Sequence, residues 1–175
     1  MRRIRNRYVI ALVLCVSLIT LFCISSYDWK DKYPWPIGDI DNTIVPIEGL
    51  SARLVEGTLS RTGFSFIVEN TGHDLVIFGA SYYLQVYRKG SWYAIDNSPS
   101  EWTAEGYVVP CDGSHYFTRD WSSIYGELPD GKYRFIWPFR YVDKDFRLIS
   151  DEEFRLSLEF DIKTNWSLSD SVVSH

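Results

Sequence analysis

The stretch that most constrains this chain is Trp121–Phe139, WSSIYGELPDGKYRFIWPF. An aromatic approach ends in Leu128-Pro129-Asp130-Gly131, and the run Tyr133-Arg134-Phe135-Ile136-Trp137 leaves it. Proline and glycine together are a turn signal, so the chain turns sharply there. The alternation that follows has the period of a strand. A strand, a corner and a strand, with Tyr133 just past the corner, fits few architectures.

The rest of the body agrees. Phe64–Asn70 alternates, with Phe64, Phe66 and Val68 on one face. Asn70-Thr71-Gly72 is a turn signal, and Tyr82–Arg88 alternates again through Tyr82, Leu84 and Val86. Lys89-Gly90 leads into Ser91–Ile95, a hairpin pattern. DNSPSEWTAEG then reads as a loop or weak edge strand before Tyr107–Pro110, Ser114–Trp121 and Tyr133–Pro138. A charged aromatic connection, Phe139–Glu153, precedes Phe154–Lys163, where Leu156, Leu158, Phe160 and Ile162 oppose Ser157, Glu159, Asp161 and Lys163. Such alternation belongs to antiparallel sheets with one wet face. No long amphipathic helix is legible, and Ser150 to Glu153 can cap one short turn at most.

About seven short strands separated by turns read as an all-β, immunoglobulin-like antiparallel sandwich spanning residues 44–163. In such folds a tyrosine near the start of strand F returns its hydroxyl to backbone a few residues upstream, and Leu128, Gly131 and Tyr133 have that form. Phe135 stands where an antibody domain has its second cysteine, so rings replace the disulfide. The expected core includes Phe66, Leu84, Phe135 and Leu158. Aromatic residues make up 17% of the chain, enough to fill it.

Ahead of the body, MRRIRNR (residues 1–7) is a basic stub, and Tyr8–Ile24 is an uncharged apolar run within an anchor segment 8–26. Seventeen helical residues rise roughly 25 Å, near the lower limit for a bilayer core. Basic flanks stay in the cytoplasm, so one N-terminal transmembrane helix would place the body outside. The run exceeds a usual signal-peptide core, which favours a retained anchor. Ser25 and Ser26 leave cleavage and secretion as the alternative. Phe22 before Cys23 and Leu14 before Cys15 disfavour lipid attachment. Residues 27–43, with Pro34 and Pro36, read as an extended tether, and the Ser-rich residues 164–175 as a disordered tail.

Chemistry is sparse. The first thirty residues carry five basic and one acidic side chain, so the remainder holds −9 of a chain whose total is −5. That charge repels nucleic acid. His73, His115 and His175 lack metal-ligand spacing, and Asp39 and Asp41 lack the glycine and glutamate of a calcium loop. There is no G-x-S-x-G elbow, and Asp151-Glu152-Glu153 reads as a solvated run rather than a catalytic pair. No enzyme, cofactor or metal is expected. Cys111, the one body cysteine, reads as a buried or inert thiol, with pairing between chains as the other use. Asn165-Trp166-Ser167 fits a glycosylation sequon without further meaning here. Trp102, Tyr141 and Phe146 are candidate ligand-surface rings, placed in a polar loop and a charged connection. Rings there can anchor a surface protein or stack on a cell-wall glycan; folded inward, they would cover the sandwich ends.

The pieces also resemble a known family. Val68-Glu69-Asn70, Phe78-Gly79 with Tyr82–Leu84, Gly90-Ser91-Trp92-Tyr93, Asp120-Trp121, Ile124-Tyr125-Gly126, and Leu128 with Gly131-Lys132-Tyr133-Arg134 are similar, in order and spacing, to bacterial Ig-like domains of firmicute surface proteins. The similarity runs over Ile44–Ile162. It implies an extracytoplasmic Ig-like sandwich, lipoprotein or membrane-tethered, generally without a characterised activity. Pro110-Cys111 departs from the family's Pro-Gly turn, and the missing lipidation site departs from its lipoprotein habit.

Overall fold

Sustained period-two alternation becomes strand throughout the computed structural model, which describes residues 30, 33–44, 47–97, 99 and 101–163. The stub, the apolar run Tyr8–Ile24 and the tail 164–175 lie outside the described residues. No helix among the described residues is long and apolar enough to cross a membrane. The chain divides into residues 1–34 and 35–175. Within the first unit the Tyr33 N–H donates to the Lys30 carbonyl at 3.0 Å.

The second unit is built from strands β1 (Ile37–Ile40), β2 (Leu50–Leu54), β3 (Gly63–Asn70), β4 (Leu75–Gly79) and β5 (Tyr83–Arg88). After them come β6 (Ser91–Ile95), β7 (Gly106–Val109), β8 (Gly113–Asp120), a one-turn helix α1 (Ser122–Tyr125), β9 (Gly131–Val142) and β10 (Phe154–Ile162). Two antiparallel sheets result. The smaller runs β2-β3-β8. The larger runs β1-β6-β5-β9-β4-β7, with β10 on the other side of β9. The expected count of about seven strands is exceeded because β1 and β4 also pair, and β9 runs longer than expected.

The larger sheet is organised by β9. Its first half lies opposite β5, through Val86↔Tyr133 to Tyr83↔Ile136. Its second half lies opposite β4, through Phe78↔Phe139 to Leu75↔Val142. Pro138, which has no N–H to give, stands in the gap where neither strand is in register. This explains a proline inside a central strand, and corrects the expectation that the strand ends there. Tyr141 therefore lies on β9 rather than in a loop.

Within residues 27–43, expected to be an extended tether, Ile37–Ile40 is instead a strand of the sheet. Trp35 is buried, donating its indole N–H to the Tyr125 carbonyl at 2.7 Å, and β1 pairs with β6 at Ile37↔Ile95 and Ile40↔Tyr93. Both prolines precede the strand, where a missing donor is tolerated, and the Pro36 carbonyl still accepts from Asp96 at 2.9 Å. The Asp41 carboxylate then fastens the segment: it accepts from Gln85 Nε2 and Arg155 Nη1, each at 3.1 Å, and from the Thr43 N–H at 3.1 Å. Lys89 and Gly90, with φ of 49° and 84°, form the left-handed pair that a tight β5–β6 hairpin requires.

Between the sheets lies a ring-filled core. Phe64 and Phe66 of β3 meet Phe135 of β9 with centroids 5.3 and 5.5 Å apart. Phe117 of β8 meets Trp137 edge-on at 4.8 Å. Phe66, Leu84, Phe135 and Leu158 are all buried. β9 departs from the one-wet-face pattern because its outer face is covered too. Ile136 and Arg134 are buried there, the guanidinium 4.1 Å from the Trp92 ring centroid. Cys111 is exposed in the β7–β8 turn, which overturns the buried half of the buried-or-inert expectation.

Candidate functional site

At the corner the Tyr133 hydroxyl donates to the Pro129 carbonyl at 2.8 Å, and Leu128 and Tyr133 are fully buried. Arg61, from the β2–β3 connection, grips the same turn. Its guanidinium donates to the Leu128 carbonyl at 2.6 Å and pairs with Asp130, while its carbonyl accepts the Trp121 indole N–H at 2.9 Å. This end is cross-braced by its own backbone groups.

The opposite end of β9 differs. Asp143 closes a three-residue hairpin loop: its N–H donates to the Arg147 carbonyl at 2.9 Å, and its carboxylate accepts from the N–H groups of Asp145 at 2.8 Å and Arg147 at 2.9 Å. The loop closes with Phe146 at φ 60°, a left-handed backbone that such hairpins normally give to glycine. Phe146 is 61% exposed, and Leu148 and Ile149 beside it are 46% and 51% exposed.

The three candidate rings are not brought together. Trp102 is half-buried with its centroid 5.1 Å from that of Tyr82. Tyr141 is half-buried on β9 between Phe139 at 5.5 Å and Phe154 at 5.1 Å. Burial, and then Asp74, pushes the Tyr141 hydroxyl above its ordinary pKa. Only Phe146 of the three stands in solvent. Leu148 and Ile149 join Phe146 in solvent, and the signal for them in the sequence is an aliphatic pair inside a charged connection.

Two concavities adjoin this end. A groove of about 500 Å³ follows the gap at Pro138, walled by Trp102, Arg140, Leu148 and Glu153. Another, of about 760 Å³, is bordered by Asp41, Glu48, Glu152 and Arg155, and its one arginine is held by Asp41. Among the described residues no group of three or more His, Cys, Asp or Glu side chains is placed to hold a metal ion.

Two antiparallel sheets closed over aromatic rings, with a tyrosine corner between them, define an all-β sandwich. The chain belongs to the bacterial Ig-like domain family, whose model matches residues 47–161. A solved structure, described as the X-ray structure of Northeast Structural Genomics Consortium target SoR45, is 11% identical, with a TM-score of 0.38 over 72% of this chain and 92% of that one. No curated protein matches the chain.

Proposed function

We propose that this chain is a non-catalytic, membrane-tethered module that displays its Ig-like sandwich outside the cell and contacts another protein there. Family membership over residues 47–161 carries the reading, because such domains serve as extracellular binding or structural modules and are generally not catalysts. The arginine-flanked apolar run Tyr8–Ile24 supports the tether and its orientation. The solvent-facing group Phe146, Leu148 and Ile149 supports contact at the end of β9 remote from the corner.

A phosphatase reporter fused after His175 tests the topology: activity in intact cells is expected, and a reporter silent outside but active after lysis would overturn it. Intact mass of the membrane-extracted chain reads whether residues 1–24 are retained, as the tether requires. A second reading, glycan binding, draws on the Trp102 groove. Retention on purified cell wall that disappears in Trp102→Ala would favour it over protein contact.

A further inference from the structure

We infer that the β9–β10 hairpin tip docks a second, different protein that offers an apolar recess edged by lysine or arginine side chains; this rests on the binding-module reading above. Three large apolar side chains, Phe146, Leu148 and Ile149, stand in water within four residues. Isolated exposed leucines are ordinary on any surface; here Phe146 stands in solvent at the tip, and Leu148 and Ile149, consecutive in the extended pairing with β9, flank it on opposite faces.

The backbone gives an independent sign. Phe146 occupies a left-handed position where a bulky side chain is costly, and its ring is mostly in solvent. The side chain strains its own loop and buries little in return, so it does not serve the isolated fold. Asp143 holds the tip rigid through its backbone and carboxylate bonds, so little loop freedom is lost on docking.

Charge selects the occupant. Residues 143–153 hold five acidic and two basic side chains, a net of −3 in a chain of net −5. A second copy would set −3 against −3, and an anionic bilayer or wall polymer would be repelled in the same way. Leu148 and Ile149 have no flat face to lay on a sugar ring. A protein surface of opposite sign satisfies both halves: a recess takes Phe146, and a basic edge meets Asp151 and Glu152.

The test uses the full-length chain in intact cells, with the photo-crosslinker p-benzoyl-phenylalanine replacing Ser150. The expected result is a discrete adduct with one other protein. It should fall at least tenfold on adding Phe146→Gly, and again in an Asp151→Lys, Glu152→Lys, Glu153→Lys variant whose near-ultraviolet dichroism is unchanged. Phe146→Gly should also raise Tm by about 3–5 °C by relieving the loop. Adducts with lipid, with the chain itself or with nothing, or a lowered Tm in Phe146→Gly, would overturn the inference. An absent adduct with an externally active reporter rejects the docking surface alone; a reporter silent outside rejects the tethered module.

Discussion

Tyr133 and Pro129 are joined by a single hydrogen bond of 2.8 Å, hydroxyl to carbonyl, across four residues of turn. Tyr133 is fully buried, so Tyr133→Phe removes the donor and takes this bond from the carbonyl of the half-buried Pro129. The expected cost is about 1–3 kcal/mol, read from a denaturant titration. A loss of only a few tenths would mean that the bond contributes little to closing the corner.

Phe135 touches Phe64, Phe66 and Tyr82 at centroid distances of 5.3, 5.5 and 5.2 Å, bridging sheets that share no disulfide. Truncation to alanine opens a cavity that neighbouring rings cannot fill, and should cost about 3–5 kcal/mol. Phe135→Leu, which keeps most of the volume, should recover a large part of that loss in the same titration.

Asp41 links the entry segment to β5 and β10 through Gln85 and Arg155. Asp41→Ala strands the amide of the fully buried Gln85, and a cost of about 1–3 kcal/mol is expected. Hydrogen exchange should speed up first at residues 37–43. Uniform acceleration over the whole sandwich would contradict a local latch.

Burial pushes the Tyr82 hydroxyl, which donates to the Asp120 carbonyl at 3.1 Å, up to about 12 from an ordinary 10; the neighbouring Tyr125 adds to the rise and Arg119 opposes it. The folded state therefore keeps a proton that the unfolded chain releases. Tyr82's contribution is fully present below pH 10 and is lost as pH rises toward 12. Denaturant titrations at pH 9 and pH 11.5 should show the fall, and Tyr82→Phe should lessen it.

Much of the sandwich was legible because its core strands keep a strict two-residue period. Phe64, Phe66 and Val68 of β3, and Leu156 to Ile162 of β10, declare their buried face without neighbours. The corner was legible because proline and glycine together signal a turn and the tyrosine follows it; Gly131 itself is not left-handed, and its missing side chain leaves room for the Arg88 guanidinium. β4 was not: Leu75-Val76-Ile77-Phe78 is continuously apolar, and only pairing with β9 and β7 shows which residues turn inward. β1 hid behind Pro34 and Pro36, whose effect depends on which side of the strand they fall. Of the candidate surface, Phe146 could be named from its charged surroundings. Trp102 and Tyr141 face neighbours distant in sequence, Tyr82 and Phe154 among them, so their exposure could not be read locally.

The gap at Pro138 separates two wings of the larger sheet. β5-β6-β1 and β4-β7 share no ladder with each other, and each hangs from β9 alone. Lengthening the β5–β6 turn therefore has no ladder through which to reach β4 and β7, which the chain joins to that wing only through the connections 80–82 and 96–105. The spine made by β9 and β10 can keep its register while the two flanks diverge in size and sequence.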